Sequence, residues 1–219
     1  MKKHLIFDLD GTLIDSAPSI LEGYDHAFKT TATPLKVPLT SDVIGPPLIE
    51  SLRILSGCDD EALLQSLATV FKQHYDSTGY LKSVVFDGVT DMLQQLHNEG
   101  YQLYIATNKR FFPTEKIISH LQWAPFFQGV FALDYFQPAL SRKAEMVGRI
   151  VQDLALPIDE CLYIGDRLED GLAADAHQMD FVLVTWGYAE DASLKKPHWQ
   201  SCTVVNDLPK LIAGLKGSA

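Results

Sequence analysis

The sequence predicts an α/β protein built on a Rossmann-like, doubly wound parallel sheet, with a small α-helical domain inserted into it. Six short and nearly continuous apolar runs have the character of buried strands, and they span residues 4–9, 101–107, 129–133, 161–165, 181–186 and 202–205. Helical patterns separate most of these runs, at residues 88–99, 113–121, 142–155 and 169–178. Such alternation is typical of a parallel sheet that is covered by helices on both faces.

Residues 16–82 interrupt this alternation. The segment contains three stretches with apolar residues at helical spacing, separated by turn and cap signals, and none of them has the character of a buried strand. The sheet pattern resumes just after this segment. We therefore expect a core domain made of residues 1–15 and 83–219, and a helical domain made of residues 16–82.

Composition and charge exclude several classes of function. The chain has 219 residues, of which 47% are hydrophobic, so it can bury a sizeable core. The net charge of -10 makes nucleic acids and anionic membranes poor partners. No apolar run reaches the length of a membrane span, and acids interrupt the first run too early for a signal peptide. The three cysteines are widely spaced, which indicates a reducing, cytoplasmic setting without disulfides or a cysteine metal site.

Polar residues follow three of the predicted strands at the point where each strand ends. Asp8 and Asp10 stand at the end of the first, Thr107 ends the second, and Asp166 and Asp170 follow the fourth. In open parallel sheets, ligands bind at the carboxyl ends of the strands. If these three strands are neighbours, four carboxylates converge at one edge of the sheet.

A cluster of four carboxylates requires a partner, because buried unpaired charges are costly. A hard divalent cation satisfies this need, and Mg²⁺ is held in proteins by a few carboxylates together with phosphate and water. Carboxylates can also act as nucleophiles in phosphoryl transfer, a role that suits Asp8 at the strand end. Asp10 could protonate the leaving oxygen and later activate water. Gly11 would let the backbone approach a phosphate, and Thr12 could add a hydroxyl donor.

Four segments in order resemble the motifs of one family. "DLDGTLID", "IATNK", "SRKAEMV" and "YIGDRLED" are similar to the four motifs of the haloacid dehalogenase (HAD) superfamily, and the resemblance covers essentially the whole chain. An insert after the first motif resembles the helical (C1) cap subclass. The segments "IGPPLIESL", "GDRLED" and "WGYA" are most similar to the phosphoglycolate-phosphatase-like branch, which also contains pyrophosphatases and nucleotidases.

The resemblance implies a Mg²⁺-dependent phosphatase that acts on a small phosphorylated metabolite through an aspartyl-phosphate. It implies that Asp8 is the nucleophile and that Asp10 is the general acid and base. The Asp8 carboxylate, the Asp10 carbonyl and Asp166 would bind Mg²⁺, and Asp170 would support the metal site. The implied protein is a cytoplasmic monomer or homodimer.

The resemblance also implies a phosphate-binding set. Thr107, Asn108 and Lys143 would hold the phosphoryl oxygens, and Lys143 would in addition neutralise Asp8 so that two anions can meet. The neighbouring Arg142 is a rival for this role, and a solvated helix lysine is the simpler interpretation of Lys143.

Several alternatives stay open from the sequence. A phosphomutase, a pyrophosphatase or a nucleotidase would share these motifs, and a phospho-ligand sensor could have kept the fold without catalysis. A dehalogenase normally lacks the acid at position 10, so Asp10 argues against it. The Gly-Pro-Pro segment at residues 45–47 is either a simple turn or part of the substrate site. Arg53 is either a surface residue or a partner for a second anionic group of the substrate, and Glu169 and Gln178 depart from the common pattern of the branch.

Overall fold

The computed structural model describes residues 2–188 and 202–217. A six-stranded parallel sheet forms its centre, with the strands in the order β5-β4-β1-β6-β7-β8, as the pattern of apolar runs predicts. The strands are β1 (His4–Phe7), β4 (Gln102–Thr107), β5 (Phe127–Ala132), β6 (Cys161–Gly165), β7 (Asp180–Val184) and β8 (Cys202–Val205). A short antiparallel pair, which the sequence did not predict, joins β2 (Ile14–Asp15) to β3 (Val84–Val85).

Eight α-helices lie in the described part of the chain. They are α1 (Ala17–Thr30), α2 (Leu48–Ser56), α3 (Glu61–Tyr75), α4 (Val89–Asn98), α5 (Phe111–His120), α6 (Lys143–Asp153), α7 (Leu168–Asp175) and α8 (Leu208–Gly217). Helix α5 begins two residues before the predicted start, because Pro113 occupies its first turn, where no backbone N–H bond is required. Within the described residues, no helix combines the length and the apolar character needed to cross a bilayer.

The sheet is covered on both faces because side chains alternate along each strand. In β1, Leu5 and Phe7 face one apolar cluster, which also contains residues of α4, α5 and α8. Ile6 faces the opposite cluster, which contains Met146 of α6 and Ala173 of α7. All of these side chains are buried. The near-continuous apolar sequence of the strands therefore reflects burial on two sides.

Residues 17–82 fold into helices that surround an apolar cluster of their own. Its buried members come from α1, α2, α3 and the segment before α2. The Asp60 carboxylate caps α3 by accepting hydrogen bonds from the backbone N–H groups of Ala62 (2.9 Å) and Leu63 (3.4 Å). Gly57 ends α2 in the left-handed conformation, with φ +60°. The division into two domains at residues 15/16 and 82/83 stays a prediction.

The strand order places β1 between β4 and β6, which brings the three predicted strand ends to one edge. Phe7 is in register with Ile105 on one side and with Ile164 on the other. The backbone N–H of Asp8 still donates to the Ile164 carbonyl (2.9 Å), so Asp8 is held by the sheet just beyond its last strand residue. The condition stated from the sequence, that these strands are neighbours, is met.

Candidate active site

Three carboxylates form a buried cluster at the carboxyl ends of β1 and β6. Asp8 follows β1, Asp166 follows β6, and Asp170 lies in the first turn of α7. One oxygen from each residue lies within 4.8 Å of the others, and none of the three residues is more than 3% exposed. The sequence assigned all three to one metal site, and the fold brings them together.

Lys143, the first residue of α6, reaches this cluster from the same face of the sheet as α7. Its Nζ lies 3.1 Å from Asp8 Oδ1 and 2.6 Å from Asp170 Oδ1, and the side chain is 2% exposed. Burial alone would lower the pKa of Lys143, but Asp170 and Asp8 raise it well above its ordinary value. Lys143 therefore stays charged in the site, whereas its neighbour Arg142 is exposed.

The acidic cluster carries more negative charge than Lys143 neutralises. Burial raises the pKa of Asp8 well above its ordinary value; Lys143 lowers it, and the carboxylates of Asp170 and Asp166 raise it further. Burial, together with Asp170, raises the pKa of Asp166 to about 7. Two neighbouring carboxyl groups with raised pKa values, Asp8 and Asp166, indicate a binding site for a cation.

The donor set fits a hard divalent cation such as Mg²⁺. All candidate ligands are carboxylate oxygens, and Asp8 Oδ1 is buried and, apart from its ion pair with Lys143, has no hydrogen-bond partner among the described residues. Oxygen donors of this kind are those that Mg²⁺ prefers. The Asp10 side chain does not belong to the cluster, so its predicted contribution through the backbone carbonyl stays a prediction.

Asp10 lies in a separate environment, although only one residue separates it from Asp8. Its carboxylate accepts hydrogen bonds from Ser16 Oγ and from Lys109 Nζ, with Lys109 at 3.0 and 3.2 Å from the two oxygens. The Asp10 side chain is 10% exposed and that of Lys109 is 5% exposed. The carboxylate that the sequence proposed as acid and base is thus held by a buried lysine and a hydroxyl.

Lys109 directly follows Thr107 and Asn108 in the sequence, but the motifs assigned it no role. Its ammonium lies 4.9 Å from the centre of the Tyr75 ring, which belongs to α3 of the helical insert. Burial alone would lower the pKa of Lys109, but the Asp10 carboxylate raises it above its ordinary value. Its position directly after Thr107 and Asn108, at a strand end, could have marked it as a site residue. Its pairing with Asp10 could not be read from the sequence pattern.

The turn after Asp10 packs tightly against Asp166. Gly11 has φ +82°, and a Cβ there would lie 2.3 Å from Asp166 Oδ2, so no other residue fits without displacing the carboxylate. Thr12 Oγ1 donates to Asp166 Oδ1 at 3.2 Å. The Asp166 carboxylate also accepts from the backbone N–H of Tyr188 at 2.7 Å. In this structure the Thr12 hydroxyl therefore orients Asp166, whereas the sequence proposed it as a phosphate donor.

Thr107 and Asn108 lie at the end of β4, beside Asp8. Both are buried, and Thr107 Oγ1 accepts from the backbone N–H of Lys109 at 3.2 Å. Asn108 Nδ2 donates to the carbonyl of Gly45 and to Glu169 Oε2, both at 2.9 Å. Both amide hydrogens of Asn108 are engaged, so contact with a phosphate would use its backbone N–H. Glu169, a departure from the common pattern, orients this amide.

Polar contacts join the helical insert to the edge of the sheet. Asn108 reaches Gly45 in the Gly-Pro-Pro segment, and Arg167 donates to the carbonyl of Ser41 at 2.5 Å. Arg110 forms a two-armed ion pair with Asp76, which directly follows α3. The sequence did not assign Arg167 or Arg110 a role, although Arg167 directly follows Asp166 and Arg110 lies two residues after Asn108.

A cavity lies between the insert and the sheet edge, directly over Asp8 and Asp10. Gly45 and Pro46 line it, so the Gly-Pro-Pro segment contributes to the wall of the site. The space that a water-sized sphere can occupy is about 60 Å³, which is room for a small group only. Arg53 does not line this cavity; it pairs with Asp59 (2.8 Å) and is 43% exposed. The simpler interpretation of Arg53, a surface residue, agrees with this position.

The sequence of this chain is similar to one family model and to several known proteins. The family model described as haloacid dehalogenase-like hydrolase matches residues 5–184. The chain is 30% identical to the tyrosine-protein kinase PtkA of Mycobacterium tuberculosis over 202 residues, which cover 92% of this chain and 67% of that protein. It is 32% identical to the phosphoglycolate phosphatase of Colwellia psychrerythraea over 213 residues, which cover 90% and 92%.

The fold has a similarly close match among solved structures. The crystal structure of a predicted phosphatase from Clostridium acetobutylicum superposes with a TM-score of 0.87 at 25% identity, and the match covers 99% of each chain. The family resemblance identified from the four sequence motifs is therefore confirmed by the family model, and the solved structure shares the fold.

Proposed function

The chain belongs to the haloacid dehalogenase-like hydrolase family, and from that premise we propose that it is a Mg²⁺-dependent hydrolase of phosphate monoesters of small metabolites. In this proposal, residues 16–82 form a cap over the site and the remaining residues form the core. The phosphatase named among its relatives supports the reaction class. The buried pairing of Asp8 with Lys143, beside two further carboxylates and below a cavity, is the observation that carries the proposal.

The proposed metal ligands are the Asp8 carboxylate, the Asp10 carbonyl and Asp166, with support from Asp170. When bound, Mg²⁺ would neutralise charge on the phosphoryl oxygens. Thr12 and the Tyr188 N–H hold the Asp166 carboxylate in place (3.2 and 2.7 Å), so this ligand is oriented before the ion binds.

In the first step, a carboxylate oxygen of Asp8 forms a bond to phosphorus while the bond from phosphorus to the ester oxygen breaks. Asp10 gives its proton to the departing oxygen, which leaves as an alcohol. Lys143, at 3.1 Å from Asp8, balances the charge of the nucleophile and of the phosphoryl oxygens that approach it. Thr107 and Asn108 would complete the binding of the phosphoryl group.

In the second step, water attacks phosphorus and the bond to the Asp8 oxygen breaks, which releases inorganic phosphate and restores the carboxylate. Asp10, now ionised, takes the proton from that water. The arrangement of Ser16 and Lys109 around Asp10 supports this role, because it holds the carboxylate in one position between the two steps. A cap closed over the cavity would exclude other water.

The test is a turnover screen with and without Mg²⁺, using phosphoglycolate, pyrophosphate, nucleoside monophosphates and aryl phosphates. Release of inorganic phosphate that requires Mg²⁺, disappears in EDTA and is accompanied by a trappable phosphoenzyme would support the proposal. Asp8→Asn is the matched control, because it removes the nucleophile and keeps the shape. Phosphate release that persists in EDTA would refute the metal assignment. Binding of phosphorylated ligands without any turnover would favour a sensor, and isomerisation without net release would favour a mutase.

A further inference from the structure

The wall that the helical insert contributes to the cavity is uncharged among the described residues that line it. Its apolar members are Ile20, Ile44, Pro46, Leu48 and Phe71. Tyr24 and Tyr75 complete this wall with two buried phenol rings. The part of a substrate beyond its phosphoryl group would therefore contact apolar and aromatic surface.

Two cations, Lys109 and Arg110, line the cavity, and both already have carboxylate partners. Lys109 contacts both oxygens of Asp10 at 3.0 and 3.2 Å. Arg110 holds both oxygens of Asp76, with Nη1 at 2.9 Å from Oδ2. Lys143 lies below the nucleophile, where the phosphoryl group itself would bind. Among the described residues, the cavity thus offers no cation that is free to bind a second anionic group.

Two residues that line the cavity carry a neutral polar atom that is buried without a well-aligned hydrogen bond among the described residues. The atoms are the Tyr75 hydroxyl and Asn108 Oδ1. The Tyr75 hydroxyl also interacts with the Lys109 ammonium, so Asn108 Oδ1 is the stronger case of the two. A buried polar atom without a partner is costly, and a ligand that supplies the missing hydrogen bond removes that cost. A hydroxyl group suits both atoms, because it can donate to the amide oxygen and can donate to or accept from the phenol. A carboxylate can only accept, so it cannot satisfy Asn108 Oδ1.

We infer that the substrate is a phosphate monoester whose leaving group is uncharged, with a carbon framework and a neutral hydrogen-bonding group such as a hydroxyl. This inference rests on the proposed function and names its substrate class. It disfavours substrates with a second anionic group, such as the ester phosphoglycolate and the anhydride pyrophosphate, although a phosphoglycolate phosphatase is among the relatives.

The physical reason is the cost of a second negative charge in this cavity. A substrate carboxylate placed against the apolar wall would lose its water without gaining a partner. If it took Lys109 or Arg110 instead, it would leave Asp10 or Asp76 as a poorly paired carboxylate, and breaking such a pair is strongly unfavourable. Either outcome would weaken the productive complex.

The test compares three substrates that share a two-carbon frame: ethyl phosphate, 2-hydroxyethyl phosphate and phosphoglycolate. All three are esters of primary alcohols, so they differ mainly in the group that faces the cavity wall. We expect kcat/KM to be highest for 2-hydroxyethyl phosphate and at least about tenfold lower for phosphoglycolate than for ethyl phosphate. Most of the difference should appear in kcat/KM at low ester concentration rather than in kcat, because it arises when the ester binds to the cavity.

A matched pair of variants at Leu48 tests the charge argument directly. Leu48 is half-buried at the start of α2 and lines the cavity, so a longer side chain can be accommodated there. Leu48→Arg supplies a cation and should raise the ratio of kcat/KM for phosphoglycolate to that for ethyl phosphate about tenfold. Leu48→Gln adds polarity and length without charge and should leave that ratio near the wild-type value. Thermal unfolding of both variants verifies that they are folded.

The outcomes separate this inference from the proposed function. If the wild type hydrolyses the esters but prefers phosphoglycolate to ethyl phosphate, the inference is overturned and the proposed function stands. If Leu48→Arg and Leu48→Gln shift the ratio equally, charge is not the determinant and the inference is likewise overturned. If none of the three esters, nor any aryl phosphate, is hydrolysed in Mg²⁺, the proposed function fails and the inference fails with it.

Discussion

Asp8 and Asp10 differ by two positions in the sequence, yet they lie in two different regions of the site. Asp8 shares Lys143 with Asp170, and both of these partners lie outside the helical insert. Asp10 is held by Lys109, whose ammonium lies against a ring of the helical insert. Each carboxylate has a buried lysine of its own, and the two lysines come from different elements.

This difference shows how one short strand end can supply two chemical roles. The region around Asp8 concentrates carboxylates, so it fits a metal and a nucleophile that is fixed by the sheet. The region around Asp10 has one carboxylate with two donors, so it fits a group that gives and takes a proton. The partners of Asp10 contact or belong to the insert, so under the proposed mechanism the position of this carboxylate would depend on the position of the insert.

The largest effect is expected on the Asp8 side. Asp8→Asn should lower kcat by about 10⁴-fold or more, because the amide cannot form the bond to phosphorus. The fold should persist, since the substitution keeps the shape and Lys143 keeps its contact with Asp170. The measurement is turnover of an aryl phosphate in Mg²⁺, with circular dichroism as the check on folding. Substantial residual turnover, with contaminating phosphatase excluded, would contradict a covalent mechanism.

The next effect separates Asp10 from Asp8 by the leaving group. Asp10→Asn removes the proton donor and later the base, each worth about 10²–10⁴-fold. The first step should suffer strongly with an alkyl phosphate and little with a nitrophenyl phosphate, whose phenoxide leaves without a proton. Because water attack is slowed in both cases, phosphoenzyme should accumulate with the aryl ester.

The measurement for Asp10→Asn is the initial product burst together with trapped phosphoenzyme, on each substrate. Equal losses in the first step on both esters, without accumulation, would leave Asp10 with no role as acid and base. Its contribution would then be confined to the backbone carbonyl.

A smaller effect tests which region holds the metal. Asp166→Asn should raise the Mg²⁺ concentration for half-maximal activity about 100-fold, because it removes a charged ligand while keeping an oxygen for its hydrogen bonds. Asp10→Asn is the matched control and should change this concentration little, since the Asp10 side chain lies outside the carboxylate cluster. Mg²⁺ titrations of activity provide the measurement. Equal shifts in this Mg²⁺ concentration would show that the Asp10 side chain contributes to metal binding as much as Asp166 does.

The smallest effect concerns Lys109. Lys109→Met should lower kcat/KM about tenfold for an alkyl phosphate and less for an aryl phosphate, because Asp10 loses the contact that positions it. Lys109→Arg keeps the charge and should restore part of the loss. A purely structural role would lower the melting temperature without changing the dependence on the leaving group. An identical loss on both esters would therefore contradict a positioning role toward Asp10.

The sequence predicted most of the sheet because burial on both faces leaves a local signature. The runs at residues 161–165 and 202–205 match β6 and β8 residue for residue. The short pair β2 and β3 escaped prediction, since strands of two residues have no periodicity to detect. The carboxylates were found because each lies within three residues of a strand end or in the first turn of a helix, so its position along the chain fixes its position at the sheet edge.

Other features of the site depend on contacts that no local pattern encodes. Lys109 follows the same strand as Thr107, but its direction toward Asp10 depends on how the turn leaves β4 and on the packing of α3 above it. The hydrogen bond from Asn108 to the Gly45 carbonyl likewise depends on where the insert lies over the sheet. These contacts join residues 34 to 99 positions apart, so spacing in the sequence carries no record of them.

The sequence by itself determined the class of the fold, the edge of the sheet that carries the chemistry and the acids and lysine that stand there. It could do so because side-chain periodicity, strand ends and motif order are properties of neighbouring residues. The tertiary structure decided which lysine neutralises which carboxylate and which groups remain free in the cavity. The reason is that charge pairing and desolvation depend on distances between elements, and these are set only when the insert packs against the edge of the sheet.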